Sequence, residues 1–307
     1  MDYFFIVKPI SSQKKFVEFQ EEFFQFQKEI QDSGGRVGEF FTSLEGENNA
    51  RNLARKAVKN GFKRIIFVGG DGLINEGVNG IMEIFRGNIS PGIALGIIPT
   101  GSGNNFAKAL KIPKDIKIAF KIVRGGKTTP VDIGKVNEKY FVNCFSVGFD
   151  ALINKIANDF KEKHAFLPKD LSYLFCALRE IIVGIPKFPV RIQNEELNYQ
   201  GRIVLAAITS SSTYGGIFKI NPQASFNDGK LSLCLIEPVG KIRALQDLYK
   251  ATKGVHIGLP EVKTFEFSSL SISSSGLLPC EVDGEILEPQ KEFKISVLPK
   301  ALKVIAP

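Results

Sequence analysis

The chain has 307 residues, more than one typical domain and comfortable for two, and 44% of them are apolar, which supports two buried cores and argues against wholesale disorder. Its 40 Lys and Arg against 32 Asp and Glu leave a net charge of +8, which attracts nucleic acid, nucleotide or an acidic membrane surface. Composition does not separate these from a plain soluble basic protein, but no apolar run nears the ~18 residues of a membrane-spanning helix.

The first third alternates strand and helix. Tyr3 to Val7 reads as a strand, and Phe16, Phe19, Phe23, Phe26 and Ile30 then fall at spacings of three and four, one face of a helix that Gly34-Gly35 stop. Packing on a sheet is the plain reading of this phenylalanine stripe, ahead of a lipid-binding surface. Arg36 to Phe41 is a second strand, followed by a helix bearing Ala50, Leu53, Ala54, Ala57 and Val58 and ending at Asn60-Gly61. Lys63 to Val68 is a third, buried strand; Gly69-Gly70-Asp71-Gly72 turns from it into a helix over Ile74 to Phe85. Ile93 to Ile98 is a fourth strand, and a glycine-rich turn and helix occupy Thr100 to Leu110. This alternation implies a parallel sheet covered on both faces, with ligands beyond the carboxyl ends of its strands.

From about Thr128 the texture changes to two-residue alternation, as in Leu231-Ser232-Leu233-Cys234-Leu235 and Phe293-Lys294-Ile295-Ser296-Val297. Asn227-Asp228-Gly229 and Asp283-Gly284-Glu285 supply turns, so an antiparallel β domain is expected, interrupted by helix over about Ala151 to Val183. Cys144, Cys176, Cys234 and Cys280 lie far apart in apolar company, which fits reduced core thiols of a cytosolic protein and no zinc site. Met1 to Lys8 has no basic-then-apolar secretory pattern. His164 and His256 are the only histidines and suggest no catalytic arrangement.

The two glycine turns carry the functional signal. Gly69-Gly70-Asp71-Gly72 follows a strand and opens a helix, so its backbone approaches phosphate closely and the helix start presents free N–H groups. Asp71 would repel bare phosphate, which points to a metal or sugar hydroxyl nearby; the plain alternative is a tight turn with an aspartate cap. Gly101-Ser102-Gly103-Asn104 repeats the setting one strand later, and neighbouring loops of this kind form one phosphate-binding floor. Phe106 stands where a dinucleotide fingerprint needs a small residue, and Lys121 where a P-loop needs glycine before Gly126-Lys127-Thr128.

These turns, with Asn75-Glu76, Asn79-Gly80 and Phe106-Ala107, resemble the nucleotide-loop motifs of the diacylglycerol kinase and sphingosine kinase superfamily. Gly148-Phe149-Asp150-Ala151, then Tyr214 to Ala224, Asp228-Gly229-Lys230-Leu231 and Asp283-Gly284-Glu285 follow in the family's order, across nearly the whole chain. The resemblance implies a two-domain lipid kinase: a Rossmann-like α/β nucleotide-binding domain over residues 1–130, with a tail at 299–307 packing back on it, and an antiparallel β-sandwich over 131–298.

By the same resemblance, Thr42, Gly69, Gly70, Asp71, Gly72, Leu73, Ile74, Asn75 and Ser102 are expected to hold ATP and its Mg²⁺ network. Glu285 is expected to accept the proton of a lipid hydroxyl, with Asp71 the other catalytic residue; a hairpin turn with exposed carboxylates is the plain reading of Asp283 to Glu285. Asp228, with the carbonyls of Ser225 and Lys230, is expected to bind a structural Mg²⁺, against an ordinary Asx turn. The implied partners are a membrane lipid substrate and an anionic membrane surface, with no nucleic acid, and the implied location is cytoplasmic, peripheral at the inner membrane face. Lys8, Leu73 and Asn105 depart from the family's residues, so an enzyme of NAD kinase type and a non-catalytic nucleotide or lipid sensor stand as alternatives.

Overall fold

The computed structural model describes residues 1–43, 48–86, 92–163, 169–212 and 218–307, with backbone only at 161–163 and 169–171. Leu44 to Gly46, His164 and Tyr214 to Ile217 lie outside the described residues. The elements run β1 (Tyr3–Val7), α1 (Gln13–Asp32), β2 (Val37–Phe41), α2 (Ala50–Lys59), β3 (Arg64–Gly69), α3 (Asp71–Ile84), β4 (Ala94–Pro99), α4 (Asn105–Ala109) and α5 (Ile116–Gly125). There follow β5 (Thr128–Val136), β6 (Lys139–Phe141), β7 (Cys144–Gly148), α6 (Phe149–Lys163), α7 (Lys169–Val183), β8 (Phe188–Gln193), β9 (Asn198–Ile203) and β10 (Leu205–Thr209). The last are β11 (Leu231–Ile236), α8 (Lys241–Lys253), β12 (Val262–Phe267), β13 (Ser269–Val282) and β14 (Glu285–Ile305). The chain divides into two compact units, Met1–Ile133 with Leu298–Pro307, and Gly134–Val297.

In the first unit β2, β1, β3 and β4 pair in that order, all parallel, and the end of β14 joins β4 with Lys303 opposite Ala94. Every residue of β1 is buried, as a strand covered on both faces requires. Tyr3 and Phe5 meet Phe23, Phe26 and Phe120, so the phenylalanine stripe of α1 is the helix's core face. One boundary differs from the sequence reading. Helix α3 begins at Asp71 because Gly70 takes the cap position, which puts Asp71 and Gly72 inside its first turn. Helix α4 begins at Asn105, because Asn104 is left-handed, with φ of 54°. Helix α5, missed in the sequence reading, has ordinary signals: Asp115 caps it by accepting from Ile118 N–H at 2.9 Å, and Gly126 ends it at φ of 64°.

The second unit is antiparallel: β12, β11, β10, β7, β13 and β14 neighbour one another in that order, and β8 joins β13 and β9. Alternate residues such as Leu231, Leu233, Leu235, Phe145, Val147, Phe293 and Ile295 close on one core, the interior of a sandwich. Their neighbours Cys234, Ala207 and Cys144 face the other way, towards Phe218, Ile220 and Ala251 of α8. Helix α8, capped by Gly240 and ended by left-handed Gly254, also escaped the sequence reading.

Candidate active site

The parallel register aligns Val7 with Val68 and Gly69 with Pro99, so both glycine turns start side by side at the carboxyl ends of their strands. Thr100 N–H and Gly101 N–H both donate to the Gly69 carbonyl, at 3.1 and 3.3 Å. A Cβ on Gly101 would stand 2.5 Å from the Gly70 Cα, so glycine at 101 lets the two backbones touch. At Gly72 the reverse holds: beyond its chain neighbours and the backbone of its own helix, no heavy atom lies within 4 Å of where a Cβ would be. Protein packing does not demand glycine there, and the open space suits an approaching phosphate.

Asp71 has a task the sequence did not show. Its carboxylate accepts from Asn105 N–H at 2.9 Å and Phe106 N–H at 3.0 Å, tying the first glycine turn to the start of α4. Asn104 lies between the turns, donates to the Gly101 carbonyl at 2.7 Å and is 2% exposed; its Oδ1, like that of Asn105, is buried without a donor. Such acceptors suit metal-bound water or a hydroxyl rather than phosphate oxygen.

The other expected nucleotide residues divide by depth. Thr42 follows β2 and donates its N–H to the Val7 carbonyl at 2.8 Å; Ser102 is exposed, with its carbonyl held by Lys114 Nζ at 3.0 Å. Leu73 and Ile74 are buried, so only their main chain is available, and Leu73 packs beneath Gly69. Asn75 is buried too, its carbonyl and Oδ1 accepting from Asn79 at 2.9 and 3.2 Å.

In the second unit Asp283 and Gly284, with φ of 48° and 86°, form the two-residue turn between β13 and β14, and Val282 pairs with Glu285. Asp283 accepts from the N–H groups of Val142, Asn143 and Cys144 at 2.8 to 2.9 Å, which clamps the hairpin to β7. Glu285 is exposed and ion-paired with Lys139 at 2.8 Å. Neither Lys139 nor the Asp283 clamp was foreseen; Lys139 carries no motif.

Asp228 lies on an exposed loop, where its Oδ1 accepts from Lys230 N–H at 3.0 Å and Ser225 Oγ donates to Asn227 at 3.0 Å. This is an Asx turn. Its donors, one carboxylate and main-chain carbonyls, are all oxygen, which fits a hard cation. Among the described residues no three His, Cys, Asp or Glu side chains gather to hold a metal.

The second unit also holds a cavity of about 100 Å³ with mostly apolar walls, among them Phe149, Tyr173, Ile181, Val204, Phe218 and Leu248. Asp150 and Asp247 are its carboxylates. Burial pushes Asp247 up to about 6; its nearest cation, Arg243, lies 3.4 Å away and is held more closely by Glu261, at 2.6 Å. Tyr173 is raised well above the usual phenol range, mainly by burial.

A family profile described as "Diacylglycerol kinase catalytic domain" matches residues 2–136, and one described as "YegS C-terminal NAD kinase beta sandwich-like domain" matches 143–306. The diacylglycerol kinase of Staphylococcus haemolyticus is 31% identical over 243 residues, covering 79% of this chain and 71% of the relative. The chain belongs to the diacylglycerol kinase catalytic-domain family. As a member of that family it is a lipid kinase, with ATP the co-substrate that kinase membership implies. The Bacillus subtilis diacylglycerol kinase is 29% identical over 268 residues, 87% of this chain and 85% of the relative. A crystal structure of a diacylglycerol kinase from Bacillus anthracis superposes with a TM-score of 0.77 over 100% of this chain and 97% of that one; at 21% identity the likeness concerns the fold. The lipid kinase's two domains are thus an α/β unit and a β-sandwich, and among the described residues no helix is long and apolar enough to cross a membrane.

Proposed function

We propose that this lipid kinase transfers the γ-phosphoryl group of ATP, with Mg²⁺, to the hydroxyl of a diacylglycerol-like membrane lipid. The apolar cavity of the second unit carries this reading, because a pocket walled mostly by side chains such as Phe149, Ile181, Phe218 and Leu248 offers a soluble dinucleotide little and a short stretch of acyl chain an apolar seat. The N–H groups at the start of α3 and the open space over Gly72 receive the phosphates, while Asp71 keeps the second glycine turn in place. Mg²⁺ would neutralise charge developing on the transferred group. Asp228, with the carbonyls of Ser225 and Lys230, would hold a further, structural ion.

Glu285 takes the proton of the lipid hydroxyl as the new oxygen–phosphorus bond forms and the bond to ADP breaks. Lys139 orients that carboxylate and must yield it as the proton arrives. The working enzyme is peripheral, visiting an anionic cytoplasmic membrane face. The test is incubation of a total lipid extract with labelled ATP and identification of the labelled product. A phosphorylated diacylglycerol-like lipid is expected. Labelled NADP formed from NAD in a parallel reaction, with no labelled lipid, would overturn the reading, as would ATP binding with no labelled product of either kind.

A further inference from the structure

Helices α7 and α8 are apolar on two opposite sides. Inward, Tyr173 and Ile181 of α7 and Ala244, Leu248 and Ala251 of α8 wall the cavity. Outward, Phe175, Leu178 and Ile182 recur on α7 at intervals of three and four, with Val183 beside them, while Ile242 and Tyr249 stand two turns apart on α8. Ile182 is 64% and Ile242 77% exposed. Lys241 Nζ brings the two helix ends together, donating to the carbonyls of Ile182 at 2.5 Å and Val183 at 3.5 Å. Single exposed apolar residues are ordinary, whereas a run of them along two joined helices marks a binding surface.

Charge identifies what covers it. Lys187, just past α7, and Lys253, in the last turn of α8, are exposed cations, and Lys250 lies one turn before Lys253. Among the described side chains of these helices the acidic groups are committed elsewhere: Glu180 pairs with Arg179, and Asp247 is turned into the cavity wall. An apolar stripe edged by lysines matches the boundary between acyl chains and anionic headgroups. We propose that the outward face of α7 and α8 docks on an anionic bilayer, so that the wall of the cavity is the part of the molecule that enters the membrane. This rests on the reading of the cavity as a lipid site, and it names the surface through which the lipid arrives.

The chain contains no tryptophan, so one introduced residue reports its own surroundings. With vesicles containing phosphatidylglycerol brominated on its acyl chains, Ile242→Trp should shift its emission to the blue and be quenched. Leu277→Trp, also well exposed at 62% but on β13, should do neither. The pair Ile182→Glu and Ile242→Glu together should lower pelleting with phosphatidylglycerol vesicles by about tenfold or more. That variant should keep a native circular dichroism melt and its turnover of a short-chain, water-dispersed diacylglycerol. No quenching at position 242, equal quenching at 277, or pelleting of the double variant like wild type would overturn the proposal. So would light scattering that shows a wild-type dimer split by the two glutamates, since the face would then join two copies. Docking as expected with no short-chain lipid phosphorylated would leave the membrane face standing and sink the substrate reading instead.

Discussion

Glu285 enters its hairpin already paired with Lys139, whereas the carboxylate of Asp71 is spent on two main-chain N–H groups, and the two acids should therefore fail differently. Glu285→Gln keeps the shape but loses the proposed proton acceptor, so turnover should fall by ~10²-fold or more while ATP binding, followed by calorimetry, stays close to wild type. Asp71→Asn puts an amide where two N–H groups need acceptors. It should loosen the start of α4, weaken ATP binding and turnover together, and destabilise the first unit by about 1 kcal/mol in denaturant titrations. Wild-type ATP affinity in Asp71→Asn would show that the tie between the glycine turns does not matter to the nucleotide. Asp247 adds a pH dependence. Its folded pKa of about 6 exceeds the unfolded value of 3.8, mainly because burial penalises its charge, so its contribution is present below 3.8 and lost as pH rises through 6. Asp247→Asn should melt above wild type at pH 7 to 8 and converge with it near pH 4; a constant offset across that range would contradict this.

Among the elements, those with a long apolar period were legible. Phe19, Phe23 and Phe26 on α1 and the alternation of β11 carry their faces in the sequence, since each face packs against one layer. The turn and short helix at Thr100 to Leu110 were legible too, although nothing in Gly101 to Asn105 announces the left-handed conformation of Asn104. Helices α5 and α8 carry glycine stops, and α5 an aspartate cap, but each lies beside a stronger signal, the second glycine turn and the strand alternation respectively. At the candidate site the glycine turns and the Asp-Gly-Glu hairpin could be found from motif order. Lys139, the Asp283 clamp and the cavity could not, because they depend on pairings across many residues of chain. Gly80, part of the motif after the first glycine turn, proves to be a packing residue: a Cβ there would lie 2.2 Å from the Arg51 carbonyl oxygen of α2. Gly80→Ala should force α2 and α3 apart and cost about 1–3 kcal/mol by chemical denaturation. Unchanged stability would show that the helices have room to separate.

On the scale of the whole molecule, chemistry is divided unevenly between the units, and the cysteines offer a way to watch one of them alone. Cys144, Cys176, Cys234 and Cys280 are free, buried and confined to the second unit. Burial pushes Cys234 up to about 12 and Cys280 to about 11, Cys144 is raised well above the usual thiol range, and Cys176 is raised as well. The thiolate is the reactive form, so two barriers, access and ionisation, stand between these residues and any reagent. A disulfide reagent at pH 8 should therefore label none of them in the native chain. Raising the pH to 9.5, which would ionise ordinary exposed thiols, should bring little change. In denaturant all 4 should react. The labelling rate against denaturant then measures opening of the β-sandwich, while far-ultraviolet ellipticity follows helices of both units. Rapid native labelling at even one position would mean that the sandwich or its covering helices open far below the global unfolding free energy. The covering most exposed to that outcome is the α6–α7–α8 layer, because Cys176 sits on α7, behind the face proposed to enter the membrane.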